Sequence, residues 1–371
     1  MKGRMIALFL FAAVLALGIC YPYELLRHSD LSFVKGWIGQ KRLEYKGELS
    51  VWHVPGSGMG MGDGSSFLAA RAKEFERKNF GIYLTIETMD EAELQKRLHR
   101  GEAPDILSFP AGSLETPENM LSVLHTKELP IEEALLKTGC VGKDCYAIPY
   151  YYGGGALVVN DDLLYAGTLM PPGGIPDGQW LADAMATDGF SLVRMGEHSE
   201  LFALASPLDD AAADLFLTAP VGTLTAFLKG EAQMALMDLK TLYAIKQREN
   251  TGHIPSLSIY GMGASLYSAQ YMGLSKDLNE EKWAAAEAFI TVVLSESSQQ
   301  RLLEYWCYPV RTGVEDYIPE DIRMASLWES IKGEKARGFT AFTQGGVEET
   351  VLELVQQKEG AAALRRRGYG T

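Results

Sequence analysis

Basic residues are the scarce class in this 371-residue chain: 34 Lys and Arg stand against 48 Asp and Glu, a formal charge of −14. Phosphate backbones need a basic face, so the deficit excludes nucleic acid as a partner. Histidine is also sparse, with six scattered copies. There is no H-E-x-x-H and no G-x-S-x-G, so no metal-hydrolase or nucleophile-elbow signature is written in the chain. No catalytic set emerges, and no cofactor or metal is expected. Internal repeats and low-complexity tracts are missing, and the longest apolar run, residues 5–20, falls short of the roughly 20 residues of a membrane-spanning helix. Cysteine is limited to four copies, three of them beyond that run.

What is present begins with a targeting signal. Lys2 and Arg4 precede the apolar run MIALFLFAAVLALGIC, which fits the h-region of a secretory signal. Ala16-Leu17-Gly18 offers small residues for cleavage, whereas Ile19 stands where a lipoprotein signal wants a small residue before Cys20. The expectation is a signal peptide or signal anchor over residues 1–20, a charged juxtamembrane linker over 21–46, and the rest of the chain outside the cytoplasmic membrane. Cys140 and Cys145 enclose Val-Gly-Lys-Asp and can close a small disulfide loop in an oxidising compartment. Zinc is disfavoured, because no histidine or second cysteine pair lies nearby. Cys307 is left over and expected to be buried.

The length predicts two domains. Residues 49–54 read as a strand, 55–66 (PGSGMGMGDGSS) as a glycine-rich loop, and 67–78 as a helix capped by Ser65 or Ser66 and stopped by Asn79 and Gly81. A second strand over 82–86, a helix opened by the capping box Asp90–Glu93, and a third strand over 105–109 continue the pattern. Strands alternating with helices at this spacing indicate parallel βαβ units. Further on, residues 170–180 read as a surface loop, 190–194 as a strand, and 201–205 as a helix. Residues 224–229 form a short segment stopped by Gly230, 233–237 a strand, and 239–248 a helix, together giving a second, smaller α/β lobe. Strand character returns over 254–275. Asn279 caps a long helix with Trp283, Ala286, Ile290 and Val293 on one face, and a short helix covers 297–305.

The stretch CYAIPYYYGGGALVVNDDLL, residues 145–164, organises the rest. Tyr150, Tyr151 and Tyr152 are followed by Gly153, Gly154 and Gly155, and consecutive glycines weaken a strand while allowing it to bend. Two readings fit: a hinge strand carrying aromatic faces for a ligand, or a tyrosine-rich core strand with a glycine bulge. The loop 56–64 follows a strand and precedes a helix, but its alternating glycines match no nucleotide-binding register. A loop at the carboxyl end of a parallel strand is still where open α/β sheets bind ligands. His53 reads as a satisfied structural histidine, and Asp161-Asp162 as a helix cap.

Five stretches together, FERKNFGIYLTI (75–86), GEAPDILSF (101–109), YAIPYYYGGGALVVNDDLL (146–164), FLKGEAQMAL (227–236) and SESSQQRLLEYWCYPVRTGV (295–314), resemble in order and spacing the extracellular solute-binding proteins of ABC importers, the maltose-binding-like family. The resemblance implies an α/β, two-lobed periplasmic-binding-protein-like fold of type II with a ligand cleft between the lobes. Lobe 1 would comprise residues 47–155 and 261–308, and lobe 2 residues 156–260 and 309–371. It implies a hinge at Gly153, Gly154 and Gly155. Ligand contacts would come from Trp52, Met59, Asp63, Ser113, Tyr151, Tyr152, Glu197, Asp238, Lys240, Tyr267 and Trp306. The chain departs from the pattern in its Gly- and Met-rich first loop, its short second lobe, and Asp238-Leu239-Lys240 where an aromatic is usual.

The implied function is capture of a small ligand, a carbohydrate first, for delivery to the transmembrane subunits of an ABC permease by a monomeric binding protein. A polyamine or other cation remains open through the acidic balance. A sensor module for a membrane signalling partner and an extracytoplasmic enzyme are the rival classes. Permease or kinase genes beside this one would separate the first two, and turnover of a ligand would identify the third.

Overall fold

The computed structural model describes residues 43–163, 176–186, 190–196, 199–249, 252, 254–332, 341–342 and 347–367. The expected signal segment and most of the linker therefore lie outside the described residues, as does Glu197. Tyr45–Thr371 form one compact unit.

The first third of that unit is built as βαβ. Strand β1 (Gly47–His53) buries Leu49, Val51, Trp52 and His53. Helix Ser65–Lys78 packs Phe67, Leu68, Ala72 and Phe75 against the sheet, the i, i+4 spacing of a one-sided apolar stripe. Its cap differs from expectation. Gly64 is the cap residue, in the left-handed region at φ 89°, and the Asp63 carboxylate accepts from the Ser65 amide at 2.9 Å. Ser65 thus lies inside the helix and receives the cap instead of supplying it. Strand β2 (Ile82–Thr88) follows. Asp90 then caps helix Glu91–His99 by accepting from the Glu93 amide at 2.7 Å, and β3 (Ile106–Pro110) closes the unit.

A small hairpin, β4 (Cys140–Val141) and β5 (Asp144–Cys145), places Cys140 opposite Cys145, and the two are disulfide-bonded. Strand β6 (Ile148–Asn160) is buried along its whole length. In the second half come β7 (Leu192–Met195), β8 (Met234–Asp238) and the 18-residue β9 (Leu257–Leu274), and later the short β10 (Tyr308–Pro309). All but the hairpin join one eight-stranded sheet in the order β2-β1-β3-β9-β6-β8-β7, with β10 added to β6.

The register shows how the two halves are joined. The amino end of β6 pairs with the carboxyl end of β9, Ile148 opposite Met272, and there β9 also pairs with β3. The carboxyl end of β6 pairs with the amino end of β9, Asn160 opposite Leu257, and there β6 also pairs with β8. Between these ends the ladder breaks. Tyr151 faces Gln270 and Gly153 faces Ser265, so Tyr152 alone stands opposite the four residues 266–269. Such bulges bend strands and raise their twist.

Each half has its own core. On one side Phe75 meets Phe289 of helix Glu280–Val293 edge-on at 5.8 Å, and Asn279 caps that helix through the Lys282 amide. On the other side Leu157 and Val159 of β6 join Leu181, Leu192, Leu204, Phe216, Met234 and Leu236. This second half is richer in helix than expected. Residues 178–180, read as loop, open helix Gly178–Met185, capped by Asp177. Helix Asp210–Thr218 was not anticipated, nor were Ile322–Ile331, Val347–Gln356 and Ala361–Arg366. The strand expected over 190–194 is displaced to Leu192–Met195. Among the described residues, Asp161 and Asp162 cap no α-helix. They lie in a 3-10 turn, where Asp161 accepts from the Ser258 hydroxyl and Asp162 from the Ser256 amide.

Candidate ligand site at the strand crossing

Strand direction fixes where a site can form. In the first half, β1 and β3 are parallel, and β3 ends with Pro110 opposite Gln270, near the middle of β9. In the second half, β7 and β8 are parallel, and β8 ends with Asp238 opposite Gly155, near the middle of β6. The carboxyl ends of both sets of parallel strands therefore converge on the broken part of the β6–β9 ladder. Loops and helix amino termini gather at such ends, which is where open α/β sheets hold ligands.

The loop between β1 and helix Ser65–Lys78 lies over this crossing. A Cβ on Gly58 would run into the carbonyl of Ser268, and one on Gly153 would stand 2.7 Å from the Cα of Gly58. A Cβ on Gly60 would stand 2.6 Å from the Cβ of Trp306 and 2.8 Å from the carbonyl oxygen of Leu239. The alternating glycines therefore permit backbone-to-backbone approach across the crossing. The amides of Gly60 and Met61 donate to the carbonyls of Trp306 and Tyr305 at 2.9 and 3.0 Å. Met59 is buried beneath the loop. Trp306 sits in the left-handed region at φ 57°, an uncommon conformation for a bulky residue. Its ring meets Tyr243 at 5.6 Å, with the Lys246 ammonium 5.6 Å from its centre.

A buried network anchors the loop ends. His53 contacts the Ser108 hydroxyl through Nδ1 at 2.9 Å and the Asp63 carbonyl through Nε2 at 2.7 Å. A carbonyl only accepts, so Nε2 carries the proton and Nδ1 accepts from Ser108. Burial lowers the imidazole pKa, outweighing the Asp63 carbonyl and charge that raise it. Gln270 Nε2 donates to the Val54 carbonyl at 2.8 Å and to the Ser108 hydroxyl at 3.0 Å. The Tyr150 hydroxyl also meets Ser108, at 2.9 Å. Among the described residues, three buried polar atoms beside this network have no hydrogen-bond partner: Tyr151 OH, Ser268 Oγ and Gln270 Oε1. An unmet buried polar atom costs on the order of 1–3 kcal/mol.

The candidate residues separate into groups. Tyr151 lies in the broken part of β6, Met59 in the loop over it, and Trp306 against Gly60 of that loop. Tyr151 and Tyr152 are both buried: Tyr151 against Tyr150 at 4.9 Å, and Tyr152 against Tyr308 at 5.7 Å. Asp238 and Lys240 border a cavity of about 390 Å³ with Gly196, Leu224, Thr241 and Ala244. The Asp238 carboxylate accepts from the Thr241 amide at 2.7 Å. A Cβ on Gly196, which has φ +100°, would collide with that carboxylate.

The remaining candidates stand elsewhere. The Trp52 ring is buried, with the Arg97 guanidinium 5.1 Å from its centre. The Asp63 carboxylate is committed to Ser65, whose hydrogen bonds hold it below its ordinary pKa. Ser113 lines a separate groove of about 590 Å³ with Glu91, Gln95, His99, Glu115 and Asn119. Tyr267 packs into the second-half core. Sequence reasoning missed Ser268 and Gln270, which lie within a strand of ordinary composition. Their one signal was the glycine run opposite them.

No family model matches the sequence, and no curated protein matches it. Solved structures do. The ABC substrate-binding protein Lmo0181 from Listeria monocytogenes, in complex with cycloalternan, aligns at TM-score 0.59 and 14% identity over 87% of this chain and 97% of that one. The GacH receptor of Streptomyces glaucescens, solved unliganded and with acarbose, aligns at 0.58 and 15% over 88% and 97%. Iron-bound HitA from Pseudomonas aeruginosa aligns at 0.51 and 18% over 84% and 98%. At these identities the likeness is one of fold, and the chain has the two-lobed α/β periplasmic-binding-protein fold.

Proposed function

We propose that this chain is an extracytoplasmic solute-binding protein, not an enzyme, that captures a small ligand between its two halves and presents it to an ABC permease. The observation that carries the reading is the convergence of the carboxyl ends of β1, β3, β7 and β8 on the broken β6–β9 crossing. Among the described residues, two long strands run through both halves there, and Gly153, Gly154 and Gly155 lie at the break as hinge. The lobes are those bounded near residues 155/156 and 308/309, and on β9 the second-half core runs past residue 260 as far as Tyr267.

A carbohydrate is the first ligand. The polar atoms at the crossing are neutral hydroxyls and an amide, groups suited to sugar hydroxyls, and the partners named for Lmo0181 and GacH are saccharides or saccharide-like. The N-terminal apolar run serves as the membrane tether. Among the described residues, no helix is long and apolar enough to cross a membrane.

A thermal-shift screen over sugars, polyamines and amino acids tests the ligand class. A true ligand at 100 times its Kd adds about 2.7 kcal/mol of stability. Stabilisation by polyamines alone would replace the carbohydrate reading with a cationic one, and turnover of any hit would replace binding with catalysis. Membrane fractionation after a high-salt wash tests the tether, with the protein expected in the pellet.

A further inference from the structure

The glycine-rich loop fits its surroundings by backbone contact, yet what it covers is polar and unmet. Gln270 Oε1 lies under Gly56, 2.6 Å from where a Cβ on that residue would stand. Ser268 lies under Gly58, its Cβ 2.8 Å from a Cβ placed on Gly153. Tyr151 OH lies under Gly64, 3.4 Å from its would-be Cβ. All three side chains are at least 98% buried; the Gln270 and Tyr151 atoms lie against Gly56 and Gly64, while Ser268 meets Gly58 through its backbone carbonyl and Gly153 through its side chain.

A plug selected only for stability would cover apolar side chains or satisfy the polar ones. This loop buries Met59 and meets the Cβ of Trp306, yet it leaves three polar atoms beneath it unmet. Its central hold is two backbone hydrogen bonds, from Gly60 and Met61, and a glycine at every second position from 56 to 64 lets the backbone swivel. The anchors at His53 and Gln270 lie at its ends, where a hinged flap needs them.

We infer that the loop over residues 56–62 is a displaceable lid, and that Tyr151 OH, Ser268 Oγ and Gln270 Oε1 form the floor of a binding site for one or two sugar rings. Ser268 and Gln270 are two residues apart in β9, about 7 Å along the strand, the scale of one pyranose ring. Tyr151 OH extends the floor toward helix Ser65–Lys78. The ligand class rests on the solute-binding reading above, whereas the lid does not. The closed loop lowers apparent affinity by the fraction of molecules that are open.

The test has a ligand-free arm and a sugar arm, both on the exported chain. Native-state hydrogen exchange without ligand should show the Gly60 and Met61 amides exchanging at least 100-fold faster than hydrogen-bonded amides of β6, through local opening. Exchange of all of them at one rate, by global unfolding, overturns the lid whatever the chain binds. Calorimetry with maltose, cellobiose, xylobiose and chitobiose forms the second arm. Tyr151→Phe and Ser268→Ala each remove one unmet hydroxyl, so each should weaken the bound sugar ten-fold or more while the ligand-free Tm stays level or rises. A structural hydroxyl would lower Tm instead. Unchanged affinity in both variants overturns the floor while sparing the solute-binding reading. A fast-exchanging loop in a protein that binds none of the four overturns the sugar floor and its ligand class together, and leaves the lid standing. As a further control, Met61→Cys with Tyr305→Cys should abolish sugar binding when oxidised and restore it on reduction, with wild type carried through the same reductant.

Discussion

His53 is the residue where pH enters the fold. Its imidazole is held neutral because both nitrogens are used and the site is dry, so its folded-state pKa lies below the ordinary 6.5. Below pH 6.5 the unfolded chain binds a proton that the folded chain refuses, so acidification favours unfolding. The loss is at most about 1.4 kcal/mol per pH unit until the folded-state pKa is reached. Carboxylates with lowered pKa values, such as Asp63 and Glu74, lose their stabilisation only nearer pH 4, whereas burial raises Glu287, which binds its proton earlier in the folded state, so the His53 variant, not the window alone, isolates the histidine. Urea titrations at pH 7.5 and 5.0 should show that loss in the wild type and a flatter response in His53→Gln. Equal slopes would mean that the imidazole is solvated. Gly58 and Gly62 make a second contrast. Gly58→Ala meets the Ser268 carbonyl and should cost about 1–3 kcal/mol by overpacking. Gly62→Ala has open space but φ +76°, so only backbone strain, about 1 kcal/mol, should register.

At the scale of elements, the first half was legible in the chain and much of the second was not. Strand 82–86 and the Asp90 and Asn279 caps could be read because apolar period and capping residue agree there. Helix Asp210–Thr218 escaped because Asp209-Asp210 before three alanines gives a cap but little apolar stripe. Tertiary packing of Ala212, Ala213 and Phe216 makes it a helix. The loop over the crossing could be recognised as a loop, but its contacts could not. Gly60 meets Leu239 and Trp306, which are about 180 and 246 positions further along, and nothing local records such a meeting. Tyr150 to Tyr152 are buried, as the core reading of their stretch has it. Asp209 also does double duty. One carboxylate oxygen accepts from the Ala212 amide at 2.7 Å, and both accept from the Gly178 amide at 3.1 Å, joining two helix starts. Asp209→Ala should therefore cost about 2 kcal/mol, against about 1 kcal/mol for the single cap removed by Asn279→Ala. Equal losses in chemical denaturation would show that the Gly178 bond contributes nothing.

At the scale of the molecule, the two halves share their central strands. Leu157 and Val159 of β6 belong to the second-half core, while Ile148 and Tyr150 of the same strand are buried in the first. On β9, Met262 and Tyr267 serve one core and Met272 and Leu274 the other. If either half melted alone, it would release an end of both strands and leave their backbone groups unpaired in what remains, a loss comparable to a domain's whole stability. Chains with two domains commonly unfold in two steps, so the shared sheet makes a distinct forecast here. Trp180 packs on the second-half core, whereas Trp52 and Trp306 report on the first half and the crossing. Urea unfolding of the ligand-free protein should therefore give one transition, with tryptophan fluorescence and far-UV circular dichroism superimposed. A Trp180→Phe variant should keep the same midpoint by both probes. Separated midpoints, with the Trp180 signal lost first, would show instead that β6 and β9 can hold the first half after the second has gone. The crossing would then be a flexible joint between independent domains, and closure about Gly153, Gly154 and Gly155 would need no coupling through the sheet.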